Sequence, residues 1–227
     1  PEERHTALTS FVDNLKKRLK ETTHPLLVNM SVGAGKSLVI ASLLQWLSSK
    51  NYRALCLTMN STLIQQNYNT YKEQGMSAGI YCAGLNRKDV QDNIIFGSPQ
   101  SICQGIINKD TISNQSFNLI VIDEAHNISP NDPATMYQRI INHYGFMAQQ
   151  ERYSFRVVGL TGTPYRNKAE SIIGEHAFFK EEICNISTSW LINQGYLVRP
   201  EFGLCREDAY DFSQLRTNNM GKFNQKE

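Results

Sequence analysis

The chain lacks a dominant charge. Its 23 Lys and Arg against 21 Asp and Glu leave a formal net charge of +2 over 227 residues. That argues against a strongly basic nucleic-acid binder and against an acidic tail protein, while a local basic groove is still allowed. Paired cysteines are also missing. Cys56, Cys82, Cys103, Cys184 and Cys205 are odd in number, and no two form a C-x-x-C. A disulfide framework or a zinc knuckle is therefore not expected; reduced, mostly buried thiols of a cytoplasmic protein are. Long apolar runs are absent as well. The longest, Leu38 to Leu47, is broken by Ser42 and Gln45, and is too short and too polar for a membrane span. The N-terminal residues do not read as a signal peptide, and no internal repeat or low-complexity stretch stands out. There is no initiator methionine either, and the abrupt start at Pro1 leads us to expect a piece of something longer.

What is there fits a globular domain: 41% apolar residues, 14 Gly and 19% charged residues. The length allows one good-sized domain, or one domain with an appendage. Leu8, Phe11, Val12, Leu15 and Leu19 fall at helical spacing, predicting a helix over about 5–21. Its Lys16-Lys17-Arg18-x-Lys20 cluster reads first as a solvated face, and second as a phosphate contact. Pro25 to Met30 reads as a buried strand, followed by a glycine-containing turn and a helix from about Lys36 to Ser49. That helix is apolar almost all round, as in a packed interior. Further strands are expected at Arg53–Thr58, Ala78–Cys82, Asn93–Phe96, Phe117–Ile122 and Val157–Leu160, with helices at Thr62–Gln74 and Pro99–Ile107. The near-continuous Leu/Ile/Val of Phe117–Ile122 marks a strand buried on both faces. Strands alternating with helices predict an α/β domain with a mainly parallel sheet sandwiched by helices. From about residue 183 the composition changes. Trp190-Leu191-Ile192, Gly195 and Tyr196-Leu197-Val198 read as a short helix, a glycine stop and an extended exit strand. The expected division is a domain over 1–182 and a connector over 183–227.

Two segments carry chemistry. Ser31-Val32-Gly33-Ala34-Gly35-Lys36-Ser37 lies between a predicted strand and a predicted helix. Its glycines let backbone N–H groups curl around an anion, and the next helix adds its positive end. Lys36 would set an ammonium near the β- and γ-phosphates, and the Ser37 hydroxyl would bind Mg²⁺. The general pattern has Gly where Met30 stands, so a chance glycine turn is the bland reading. Asp123-Glu124-Ala125-His126 follows the Phe117–Ile122 strand, at the sheet edge where α/β domains bind ligands. Asp123 is placed to hold Mg²⁺ through water, and Glu124 to orient or deprotonate an attacking water. Alone, this acidic pair would be a solvated loop; the glycine loop upstream weighs against that.

With these motifs the chain resembles the superfamily 2 DEAD/DEAH-box helicases and translocases, specifically their N-terminal RecA-like lobe, a P-loop NTPase domain. Restriction translocases and RadD-like proteins are the nearest in kind. Leu57 to Gln66 looks like motif Ia, Phe96 to Ser101 like a later strand-contact motif, and Leu160 to Arg166 like motif III, with Gly162 where Ala is commoner. Ala83 to Lys88 and Asn193 to Leu197 are similar to RadD-like segments. The resemblance implies ATP held by Gly33, Ala34, Gly35, Lys36 and Ser37, with Mg²⁺ at Ser37 and Asp123 and catalysis by Lys36, Asp123 and Glu124. It implies coupling through His126, Thr161 and Thr163. It also implies contacts from Thr62, Ser98 and Gln100 to one nucleic-acid strand, with DNA favoured over RNA; the bland reading of these three is cap or turn. A second RecA-like lobe would complete the ATP site with arginine fingers, so the lobe alone is expected to be weakly active or inactive. The glutamine that commonly reads adenine has no counterpart between Pro1 and Ser10.

The leading reading is the ATP-binding motor lobe of a DNA helicase or translocase of repair or restriction. The alternative is a nucleotide-regulated binding module without motor activity. The Asp-Glu-Ala-His and Thr-Gly-Thr-Pro segments argue against a P-loop kinase.

Overall fold

A computed structural model describes residues 2–129, 132, 134–166 and 170–199, with side chains from residue 8 onward. Helix α1 (Glu2–Glu21) leads into β1 (Leu26–Met30), the glycine loop and α2 (Lys36–Ser49). Then come β2 (Ala54–Leu57), α3 (Ser61–Lys72), β3 (Gly79–Cys82), the two-residue β4 (Arg87–Lys88) and β5 (Ile94–Gly97). Helix α4 (Pro99–Ile107), β6 (Leu119–Asp123), α5 (Met136–Glu151), β7 (Arg156–Thr161), β8 (Glu181–Ile186) and α6 (Thr188–Asn193) complete the described elements. Among the described residues no helix is long and apolar enough to cross a membrane.

The strands form one sheet in the order β4-β3-β5-β2-β6-β7-β1-β8. Every neighbouring pair is parallel except β3–β4. Each parallel connection must cross over a face, so both faces are covered and central strands are apolar on both sides. Strand β6 is buried along its whole length. Alternation divides its side chains. Leu119 and Val121 pack with α1, α2 and α3, whereas Ile120 and Ile122 pack with α4 and α5. The result is a RecA-like doubly covered sheet.

The chain departs from the sequence expectations in several elements. Helix α5 was not anticipated, although its buried Tyr137, Ile140, Ile141, Tyr144 and Ala148 follow helical spacing. Strand β8 crosses residue 182, where composition set the start of a connector, and pairs with β1 over Leu26–Met30. No strand forms at Tyr196–Val198. Gly195 takes φ +71°, the Gly195 N–H bonds the Ile192 carbonyl (3.0 Å) and the Tyr196 N–H bonds the Leu191 carbonyl (2.8 Å). This pair of bonds caps α6 and turns the chain back, half-burying Tyr196 and Leu197 against the core. The basic cluster of α1 keeps to the exposed and half-exposed face expected of it, where acidic side chains largely neutralise it. Lys16 pairs with Asp13, Lys17 with Glu21, and Arg18 with both Glu21 and Glu181. Cys205 and the rest of 200–227 lie outside the described residues.

Candidate functional site

The parallel strands all deliver their carboxyl ends to one edge, and the expected site residues collect there. After Met30 the loop turns through Gly33 (φ +81°) and Gly35 (φ +99°), conformations that glycine adopts without penalty. Helix α2 starts without a side-chain cap and without an acidic residue in its first turn, so its own residues leave its positive end uncompensated. The loop is held at its root, where the Ser31 N–H donates to the Ile186 carbonyl of β8 (2.9 Å). Ala34 offers no ligand side chain: its methyl group is buried in the core and its N–H bonds the Ser31 carbonyl (3.1 Å). Lys36 Nζ donates to the Met30 carbonyl (3.2 Å) and lies 3.8 Å from Glu124 Oε1.

Asp123 ends β6 and is 6% exposed. Its Oδ1 accepts the Glu124 N–H (3.0 Å) and its Oδ2 accepts the Asn67 side-chain amide (3.0 Å). Burial pushes its pKa up, with the Glu124 charge adding; the Asn67 bond and the Lys36 charge oppose. Glu124 sits in the left-handed region at φ +53°, which turns the chain sharply after the strand. His126 Nδ1 meets Thr161 Oγ1 at 3.0 Å, Thr163 Oγ1 at 3.3 Å and Glu124 Oε2 at 3.3 Å. Thr161 Oγ1 also lies 3.2 Å from the Thr163 carbonyl and accepts the Thr163 N–H (3.1 Å), so the three groups form one small network. Thr161 is fully buried. Next to it, a Cβ on Gly162 would stand 2.9 Å from the Met30 oxygen and 3.1 Å from Ser31 Cα. The segment after β7 therefore lies directly on the root of the glycine loop.

A cleft of about 440 Å³ opens among Lys36, Ser37, Asp123 and Glu124, walled on one side by Gln66 and Asn67 of α3. Among the described residues no three His, Cys, Asp or Glu side chains form a cage for a metal ion. A larger groove of about 520 Å³ runs between α1 and α2, but Lys16 is the one charged side chain in its walls. Its size does not make it the site of chemistry.

A second cavity of about 400 Å³ lies at the same sheet edge, where Ser98, Gln100 and Ser101 face Ser61, Cys82 and Gly84. Ser98 is nearly buried and caps α4: it accepts the Ser101 N–H (3.2 Å) and donates to Ser101 Oγ (2.8 Å). Gln100 is exposed. Thr62 is not in the walls; its neighbour Ser61 is, and the Thr62 N–H is used by the Asn60 cap (2.8 Å). The sequence reading set Ser61 and Ser101 inside its motif Ia and strand-contact segments without giving either a contact of its own, and it passed over Asn67.

The family model described as "Type III restriction enzyme, res subunit" matches residues 5–166. The chain is similar to the Saccharomyces cerevisiae protein IRC3, whose name places it with ATP-dependent helicases: 25% identity over 192 residues, 79% of this chain and 27% of that protein. It is also similar to a 51.5 kDa protein of Lactococcus phage (isolate 7-9), with 27% identity over 193 residues, 85% of this chain and 35% of that protein. The chain thus spans about a quarter to a third of the length of these curated relatives. In fold it matches the type ISP restriction-modification enzyme LlaGI, with TM-score 0.59 and 13% identity over 84% of this chain and 20% of that one. The Pyrococcus furiosus Hef helicase domain gives TM-score 0.57 and 17% identity over 81% of this chain and 37% of that one. By its glycine loop, its Asp-Glu-Ala-His turn and this match, the chain belongs to the type III restriction enzyme res subunit family and is an N-terminal lobe of the superfamily 2 helicase kind.

Proposed function

We propose that the chain is the ATP-binding motor lobe of a nucleic-acid-dependent ATPase, a cytoplasmic DNA helicase or translocase working in repair or restriction. The observation that carries this reading is Lys36 standing 3.8 Å from Glu124 in the cleft that also holds Asp123 and Ser37. An ammonium, an uncapped helix end and a left-handed glycine turn suit a triphosphate. Asp123, with the Ser37 hydroxyl, would hold Mg²⁺; a single carboxylate suffices because Mg²⁺ keeps most of its water and takes phosphate oxygens. When bound, the ion supplies charge neutralisation between phosphate oxygens. Glu124, half-buried and touching His126, is suited to accept the proton of a water aligned with the terminal phosphate. The His126–Thr161–Thr163 bonds give that turn a direct link to the segment after β7. Support for DNA comes from neighbours in fold: LlaGI was solved with a DNA substrate mimic, and the Sulfolobus solfataricus SWI2/SNF2 ATPase core (TM-score 0.51) with double-stranded DNA. Ser98, Gln100 and Thr62, with Ser61 and Ser101 beside them, would grip one strand through neutral hydrogen bonds. A second lobe would supply an arginine worth about 10³–10⁵ in kcat.

Calorimetric titration with Mg–ADP tests the reading. Lys36→Ala should weaken binding about 10- to 100-fold, the loss of a charge-assisted contact. In a two-lobe parent, Glu124→Gln should keep binding and abolish turnover. Equal binding by wild type and Lys36→Ala would overturn the assignment.

A further inference from the structure

The buried stripe of α3 consists of Ile64, Asn67 and Tyr71. Two of these are ordinary core residues; the middle one is an amide. Asparagine is a poor helix former, and a buried amide is costly unless it is bonded. Asn67 is 3% exposed, and its Nδ2 donates to Asp123 Oδ2 at 3.0 Å, across 56 residues of sequence. The ionised carboxylate only accepts, so the amide nitrogen must be the atom facing it. Each Asp123 oxygen then holds one donor from the chain: Oδ1 the Glu124 N–H, Oδ2 the Asn67 amide. Two donors on opposite oxygens fix the plane of the carboxylate and leave its other lone pairs for the cleft.

The place of α3 adds to this. Gln66 and Asn67 face the phosphate cleft, while Ser61 faces the second cavity. The two positions are six residues apart, about 9 Å along the helix axis. The first turns of α3 are the partition between the cavities.

We infer that Asn67 is a positioning residue: it orients the Asp123 carboxylate toward a hydrated divalent cation in the cleft and ties that carboxylate to α3. The inference rests on the reading of the cleft as a Mg–nucleotide site. A core asparagine that merely satisfied a neighbour would affect folding alone. A positioning residue sets how much the cation adds to nucleotide binding, since loss of an outer-shell partner costs a metal site about 10- to 100-fold in affinity.

The experiment is to titrate ADP into the full chain with and without Mg²⁺, for wild type, Asn67→Leu and Asn67→Ser, with thermal melts to confirm folding. Leu keeps the volume and removes the donor; Ser stays polar but is too short to reach Oδ2, and serves if Leu fails to fold. The gain in ADP affinity on adding Mg²⁺ should fall about tenfold or more in the variants. ADP affinity without Mg²⁺ should stay within about twofold, because the phosphate loop is untouched. An unchanged Mg²⁺ gain in a folded variant overturns the inference. Wild type that binds ADP with no Mg²⁺ gain also overturns it, while leaving the phosphate-loop reading standing. Wild type that binds no ADP at all refutes the phosphate-loop reading itself, and this inference with it.

Discussion

Gly162 has no room for a methyl group. The two atoms that a Cβ would strike, the Met30 oxygen and Ser31 Cα, belong to backbone at the root of the glycine loop and cannot swing aside. The Met30 oxygen is also the acceptor for Lys36 Nζ (3.2 Å), so moving it moves the anchor of the candidate catalytic lysine. Gly162→Ala should therefore cost about 1–3 kcal/mol of stability, as overpacking does. It should also weaken Mg–ADP binding. Thermal unfolding and calorimetry on the same sample read both, and full retention of affinity would show that the two segments move independently. Most of this site was legible at residue level because its chemistry is local: glycines, a lysine and a hydroxyl within one turn, and two carboxylates in succession. Asn67 was not legible, because what gives it meaning is a partner far away in sequence, and nothing beside it distinguishes a bonded amide from a surface one.

Elements were legible in proportion to how completely they are buried. Strand β6 and helix α2 advertise themselves by continuous apolar residues. Strand β8 does not: it is an edge strand, half-exposed, and begins with two glutamates. Helix α5 carries a clear buried stripe, but Gly145 and polar residues on its outer face dilute it. The first glutamate of β8 has a task of its own. Arg18 reaches Glu181 through Nε (2.9 Å) and Nη2 (2.6 Å), a two-pronged bond joining α1 to the sheet edge. This bond holds the Glu181 pKa below its ordinary 4.5. Its folded pKa thus lies below the unfolded one, so the contribution is complete above 4.5 and is lost as pH falls through the lower, folded value. Glu181→Gln should give a small drop in melting temperature at neutral pH, screened by salt because the pair is partly exposed. The drop should shrink in acid. A difference that persists unchanged in acid would assign it to packing instead.

At the scale of the whole molecule, the order of strands decides where the chain can be cut. Strand β1, which delivers the candidate phosphate loop, is flanked by β7 on one side and β8 on the other. A chain ending at residue 182 would strip away most of β8, expose the backbone groups of β1 along that side, and remove the Ile186 carbonyl that receives Ser31. It should lose on the order of 3 kcal/mol or more, from several unpaired backbone groups, and should associate through the bared edge. A chain ending at Leu197 keeps β8 and α6 and should melt within a few degrees of the full chain. Differential scanning calorimetry and light scattering of the two truncations distinguish these outcomes.

The first compact unit ends at Leu197. That residue's methyl carbon also lies 3.1 Å from where a Cβ on Gly33 would stand, and its N–H holds the Leu191 carbonyl (3.2 Å). The side chain that closes this unit thus rests on the glycine that shapes the loop between β1 and α2, so the last residue of the unit and the turn that begins the candidate cleft share one contact.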